Sequence, residues 1–388
     1  MSAEAAPSLA ARLAEVVEVT EAHLADADRD AVFPLEALAA LRRSRLLGLL
    51  VPVAYGGLGG TPRDLVRAAE TLGRADMSVA MIFAMHCQQS AALVRHADER
   101  LAKAVLPRVA AGEIYLASVT TETGKGGRLT TADARLTEAD GLLEIDRFAP
   151  VVTGGAHADG FLITMRAPGD ATAHDVSLVY ADRDQLTVAA SGDWQPMGMR
   201  ASHSAPLRLT GRVPARQVVG EPGHFHEIAA QVFGPLAHLG WSAAWLGTAA
   251  GALSRVLRLI RSPAGRARFD ITSELLLTRL SRARQRLDSV HALLRQAVPV
   301  VESGEDLSRP PRQLLLNALK ITASEQCLAA VDELVEAVGL RDGYLKDSPT
   351  RLELAVRDLR SAALNYHNDR LHLADGRLAL RDPGVTFA

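Results

Sequence analysis

Two abrupt changes of texture constrain this chain more than any single motif in it. Up to Tyr115 the apolar residues recur three and four apart, as they do on helices; 9–29, 35–50 and 61–74 all show this pattern. A glycine-rich turn, Tyr55-Gly56-Gly57-Leu58-Gly59-Gly60, separates the second run from the third. Segment 77–94 has no Asp, Glu, Lys or Arg, and its main polar members are His86, Gln88 and Gln89, which predicts a buried helix. Between Ile114 and Gly220 short β-type runs take over, at 115–119, 142–145, 160–165, 176–180 and 207–209, punctuated by Gly, Asp and Pro. From Glu227 helical periodicity returns, over 228–261, 271–298, 312–338 and 350–378, with Pro263, Pro299, Pro310, Pro311 and Pro349 at the expected breaks. The order predicts an α+β chain. An N-terminal helical domain occupies 1–115, a middle antiparallel β domain 116–225 and a C-terminal four-helix bundle 226–388.

Composition then removes whole classes of function. Hydrophobic residues make up 48% of the 388 and charged residues 23%, enough apolar surface to offset the entropy of ordering, so disorder is excluded as the main state. The net charge of −2 gives no electrostatic footprint for nucleic acid. Cys87 and Cys327 form no CxxC pair, no His/Cys cluster has metal-ligand spacing, and a reducing cytoplasm fits both facts. The first residues, MSAEAAPSLAARLAEVVEV, lack the basic and apolar regions of a signal peptide. Segment 228–254 carries no formal charge and is long enough to span a bilayer, but Gln231, Pro235, His238, Ser242 and Thr248 argue for a buried helix and no membrane span. On it, Gly240 and Ala244, and Gly247 and Gly251, are small residues four apart that let another helix approach closely.

Three polar, glycine-bearing loops sit among the β runs. They are Thr120-Thr121-Glu122-Thr123-Gly124-Lys125-Gly126-Gly127, Val151-Val152-Thr153-Gly154-Gly155-Ala156-His157-Ala158-Asp159 and Gly198-Met199-Arg200-Ala201-Ser202-His203-Ser204. Each alone reads as an ordinary turn. In this order, inside a helix–strand–helix chain, they resemble the T-E-P-G-x-G-S, W-I-T-N/S-G/A-x-x-A-D and G-M-R-x-S motifs of the acyl-CoA dehydrogenase superfamily. Arg357-Asp358, after the turn Gly339-Leu340-Arg341-Asp342-Gly343-Tyr344, matches that family's C-terminal R-D. The resemblance covers nearly the whole chain. It implies FAD, with Ser118, Thr120 and Thr121 along the isoalloxazine edge, Gly126, Gly127 and Val151 in the same loops, and Thr153 near flavin N5. Arg266 and Phe269 resemble an R-x-x-F pair that meets the cofactor of a neighbouring subunit, and Gly339 falls in the adenosine motif. Gly127 stands for the usual Ser, Val151 for the usual aromatic, and Glu336-Ala337-Val338-Gly339-Leu340 for Q-x-x-G-G. The resemblance further implies a small acyl thioester, on CoA or an acyl carrier protein, an electron acceptor or a flavin reductase, and a homo-oligomer, dimer or tetramer.

The chain departs from the family at the catalytic base. Tyr366 stands where the usual Glu would, and Gly240 where some relatives carry it on the first bundle helix. A free tyrosine, with pKa about 10, is ionised about once in a thousand at pH 7, a penalty near ~4 kcal/mol. Three candidates for proton transfer follow: Tyr366; Asp369, one helical turn on; and His86, whose ring titrates near neutrality. His203 and His367 are of the same kind. Two readings remain open: an FAD-dependent dehydrogenase of an acyl thioester with a non-standard base, and a flavin monooxygenase on the same fold, which uses O₂ and needs no such base. A third is a catalytically silent flavoprotein.

Overall fold

The structure is a computed structural model, which describes residues 7–124 and 128–382. Five helices come first: α1 (Leu9–Asp30), α2 (Leu35–Arg43), α3 (Pro62–Ala75), α4 (Met77–His96) and α5 (Glu99–Ala111). Eight strands follow: β1 (Leu116–Val119), β2 (Thr137–Ala139), β3 (Leu142–Ala149), β4 (Gly160–Arg166), β5 (Val176–Asp182), β6 (Leu186–Ala190), β7 (Leu207–Pro214) and β8 (Val218–Val219). The remaining helices are α6 (Phe225–Ile228), α7 (Gly234–Arg261), α8 (Pro263–Arg266), α9 (Glu274–Glu302), α10 (Pro310–Gly343), α11 (Leu352–Leu359) and α12 (Asn368–Ala379). The backbone clusters into two compact units, one of 7–68, 82–195 and 200–236, the other of 69–81, 196–199 and 237–382.

In the first unit the strands form two four-stranded sheets, ordered β1-β4-β5-β8 and β2-β3-β7-β6. β4 and β5 are buried on both faces, as strands between covering layers must be. β3 alternates strictly, with Leu143, Ile145, Arg147 and Ala149 inward, so an arginine occupies a core position. Among the described residues the paired strands are antiparallel except at one pair: β1 runs parallel to β4, Leu116 opposite Gly160. That corrects the all-antiparallel expectation. The long excursion between β1 and β4 carries β2 and β3 into the other sheet, and a connection of that length permits parallel pairing. The strands without a sequence signal, β2, β6 and β8, are short, and β2 and β6 are largely exposed, so the core writes no apolar pattern into them.

In the second unit α7, α9 and α10 are long, but the fourth expected helix is two, α11 and α12, broken over 360–367. Tyr366 in that break has φ +52°. α10 also bends, at Gly339, whose φ of +73° and ψ of −172° leave the helical region at no steric cost because glycine has no Cβ. Pro299 does not end α9. It lies in the last turn, where the missing N–H removes a single bond, and the helix runs on to Glu302. Among the described residues α4 is the helix long and apolar enough to cross a membrane, and 89% of its most apolar window is buried within the protein.

The small residues of α7 meet residues 70–74 of α3. A Cβ on Gly247 would overlap the Glu70 carbonyl, one on Gly73 the Ala244 carbonyl, and one on Gly251 would lie 2.9 Å from the Arg74 carbonyl oxygen. Thr248 seals the crossing by donating its hydroxyl to the Gly73 carbonyl at 3.1 Å. The close approach written into α7 is thus used inside one chain. We expect Gly247→Ala to destabilise the protein by roughly 1–3 kcal/mol, the usual cost of overpacking; a denaturation midpoint unchanged from wild type would refute this contact.

Candidate active site

The loop after β1 is held from beneath by Arg147. Its guanidinium donates to the Thr164 carbonyl at 3.2 Å, the Phe148 carbonyl at 2.7 Å and the Thr121 carbonyl at 2.8 Å. It also pairs with Glu122 at 3.0 Å, with 1% and 8% of the two side chains exposed. Glu122 in turn accepts the Asp133 and Ala134 N–H groups, each at 3.0 Å. Two charges this deep stand only as a pair, since removing one partner typically costs ~3–5 kcal/mol. Glu122 of the first motif is therefore an anchor for the loop.

The hydroxyls on that anchored loop divide the work. Thr121 donates to the Val151 carbonyl at 2.8 Å and accepts the Val151 N–H at 3.3 Å, which clamps the first loop to the second. Its hydroxyl is thus spent on backbone, and Val151 contributes backbone atoms to the clamp although its side chain is 43% exposed. Ser118 is buried on β1 and Thr120 half-buried just beyond it. The second loop turns at Gly154, φ +59°, where a Cβ would lie 2.6 Å from both Phe33 and the Tyr115 hydroxyl. Thr153, one residue earlier, is half-buried and forms a hydroxyl chain with the third loop: Thr153 Oγ1 to Ser204 Oγ at 2.9 Å, then Ser204 Oγ to Ser202 Oγ at 2.9 Å. The structure thus brings Thr121, Val151 and Thr153 together in the first unit. Gly126 and Gly127 lie outside the described residues.

The charged motif residues are internal clasps. Asp159 accepts the Tyr115 N–H at 2.8 Å and pairs with Arg42 at 2.5 Å. Arg200 donates to the carbonyls of Asp28 and Arg29 at the end of α1, at 2.6 and 3.1 Å. Within the second unit the buried Asp358 accepts the Met199 N–H at 2.6 Å, Arg357 reaches the Met197 carbonyl at 3.1 Å, and Gly198 is packed so tightly on Arg357 that a Cβ would overlap its carbonyl.

Also in the second unit, Arg266 is exposed, and among the described residues its Nε donates to the Arg261 carbonyl at 3.0 Å. Phe269 is half-buried beside it, under the Arg268 guanidinium at 5.2 Å, and Arg268 is itself paired with Asp342. Glu336, where the family has Gln, pairs with Arg279, and Gly339 marks the bend of α10.

Of the three proton-transfer candidates, the structure removes His86. Its ring is fully buried, Nε2–H donates to the Leu47 carbonyl at 2.8 Å, and Nδ1 accepts the Leu116 N–H at 3.0 Å. Both nitrogens are occupied by backbone, and burial pushes the ring pKa down to about 4. It pins α4 to the start of β1. Tyr366 is weakened in the same way, because burial raises its phenol above the ordinary value despite the nearby Arg370. Asp369 is exposed in the first turn of α12, where a helix N-terminus favours a negative charge.

Sequence reasoning missed a buried cluster beneath Tyr366. Lys320, fully enclosed on α10, donates to Asn368 Oδ1 at 2.7 Å and the Tyr366 carbonyl at 3.3 Å, and lies 5.7 Å from the Trp245 ring centre. Burial pushes its ammonium pKa down to about 8. Asn368 also donates to Ser324 at 3.0 Å and Glu325 at 3.1 Å, so Lys320 holds the strained turn in place. The signal was a lone lysine in the apolar run of α10, as Arg147 was a lone charge at a core position of β3. On α7, the buried Trp241 Nε1, Ser242 Oγ and Trp245 Nε1 have no hydrogen-bond partner among the described residues, a situation native structures seldom tolerate.

With this geometry the chain can be set beside known proteins. The acyl-CoA dehydrogenase N-terminal domain family matches residues 8–113 and the acyl-CoA dehydrogenase C-terminal domain family residues 236–364. A probable acyl-CoA dehydrogenase of Mycobacterium leprae (strain TN) is 26% identical over 341 residues, 87% of this chain and 85% of its own. An L-prolyl-(peptidyl-carrier protein) dehydrogenase of Pseudomonas fluorescens is 26% identical over 308 residues, 76% and 78% of the two chains. Among solved structures, TdsC of Paenibacillus sp. A11-2, in complex with FMN and indole, superposes with TM-score 0.86 at 21% identity, covering 96% of this chain and 97% of its own. Butyryl-CoA dehydrogenase of Megasphaera elsdenii superposes with TM-score 0.85 at 18% identity, covering 98% and 100%. The chain has the acyl-CoA dehydrogenase fold. It belongs to the acyl-CoA dehydrogenase superfamily, and with that membership it is a flavin-dependent oxidoreductase.

The buried imidazoles make stability depend on pH. Burial lowers His86 to about 4 and, with Lys320 adding repulsion, His238 to about 3, both from 6.5. Between those values the unfolded chain binds more protons than the native one, so stability falls as pH drops from about 6.5 toward 4. We expect His86→Gln to flatten that slope in denaturation series at several pH values; a slope as steep as wild type would refute the buried-neutral assignment.

Proposed function

We propose that this protein binds FAD and uses it to oxidise an acyl thioester, carried by CoA or an acyl carrier protein, at Cα–Cβ. The observation that carries this reading is the joining of three motif loops by Thr121, Thr153 and Ser204, which leaves the Thr153 hydroxyl as the half-buried end of an otherwise buried chain. That hydroxyl suits a flavin ring nitrogen, and Ser118 and Thr120 lie at the start of the first loop, which Thr121 clamps to the second. Arg266 supports FAD over FMN: its exposed guanidinium keeps two nitrogens for a pyrophosphate, which only the dinucleotide has, and Phe269 lies beside it. The family resemblance supports a pyrophosphate held across a subunit boundary, and with it a homo-oligomer. FAD, when bound, supplies a hydride acceptor. Electrons then leave to a separate acceptor. The localisation that fits two buried, unpaired cysteines is cytoplasmic.

For the proton, we propose Asp369. His86 has no free nitrogen, and Tyr366 is pushed away from ionisation. A second reading, a flavin monooxygenase, is favoured by one observation: neither carboxylate position of the family holds a carboxylate here.

Anaerobic titration with a panel of acyl-CoA and acyl-carrier thioesters separates the two. Bleaching of the flavin band is the expected result, slowed at least roughly tenfold by Asp369→Asn, the low end for loss of a general base, and little changed by Tyr366→Phe. A flavin that no thioester bleaches, yet that consumes O₂ once reduced by an external donor, establishes the monooxygenase instead.

A further inference from the structure

The hydroxyl chain has a direction that the geometry settles. Each of its three members has one proton to donate and can accept at its oxygen. Ser202 and Ser204 are buried, at 1% and 4% exposure, while Thr153 is the half-buried end. Among the described residues the Ser202 hydroxyl has Ser204 Oγ as its hydrogen-bond partner. If the protons ran inward, from Thr153 to Ser204 to Ser202, the last would be a buried donor with nothing to bind, which costs about 1–3 kcal/mol. Run outward, Ser202 donates to Ser204 and Ser204 to Thr153, so both buried protons are used and the Thr153 proton is left at the half-buried end. Backbone bonds fix the loops in this register: Gly154 N–H donates to the Ser202 carbonyl at 3.0 Å and Val152 N–H to the Ala205 carbonyl at 3.3 Å. The Tyr115 hydroxyl holds the Thr153 carbonyl at 3.3 Å.

We propose that Ser202 and Ser204 are positioning residues that commit the Thr153 hydroxyl to donating outward, and so set the redox potential of the flavin. This rests on the flavin reading above. Oxidised flavin offers a bare acceptor nitrogen at N5, whereas reduced flavin carries an N–H there. A hydroxyl committed to donation therefore favours the oxidised form. Hydrogen bonds to cofactor ring nitrogens are one of a protein's means of tuning that chemistry. Without Ser204, Thr153 is free to turn and accept, and the reduced form gains.

The test is the midpoint potential of the purified FAD-loaded protein, measured by equilibration with a reference dye. We expect Ser204→Ala to shift the ratio of affinities toward reduced flavin by up to about tenfold, equivalent to about 30 mV upward for a two-electron couple. Ser204→Thr, which keeps the hydroxyl, should stay at the wild-type potential. Ser202→Ala should move in the same direction by less, and it decides the matter if Ser204→Ala fails to fold. A merely structural role would weaken flavin retention without moving the potential. Potentials unchanged or lowered in both alanine variants overturn this inference and leave the flavin reading intact. A wild-type protein that carries no flavin overturns both.

Discussion

The β unit depends on one buried cation. Arg147 sits at an inward position of β3, among Leu143, Ile145 and Ala149, where a charge is unfavourable unless every donor is used. Glu122 neutralises it, and three carbonyls take three more of its five donors. The loop after β1 is fixed because it supplies both Glu122 and the Thr121 carbonyl. Thr121 then clamps Val151, and the second loop is held against the third through Thr153 and Ser204. The outward-facing threonine is the end product of an ion pair in the core beneath it.

The helical order was legible because long amphipathic periods have few other solutions. The ends of α1, α3 and α4 follow from Ser8 as a cap, Pro62 at a first turn and the charge-free run from Met77. The break between α11 and α12 was not legible, because its cause is remote in sequence: Lys320 on α10 grips Tyr366 and Asn368. Parallel pairing of β1 with β4 was equally hidden, since pairing direction leaves no mark on either strand.

The charged motif residues stand out in the sequence, but the structure spends them within the protein. Glu122, Asp159, Arg200 and Asp358 identify the family, yet each is occupied with backbone or an internal ion pair. Hydroxyls make the links between the three loops, and hydroxyls are too common in turns to stand out. His86 misled for the opposite reason. A polar residue on an apolar helix suggests chemistry, but its two nitrogens tie α4 to the Leu47 carbonyl and to the start of β1.

The second unit carries the departure from the family. It has glycine at one carboxylate position and a half-buried phenol at the other. The fold requires a flavin. The most direct measurement is release of the cofactor from freshly purified protein by heat, with chromatographic identification of what is released. The account predicts FAD, near one per chain; release of FMN alone, or a colourless protein that takes up no FAD, would contradict it.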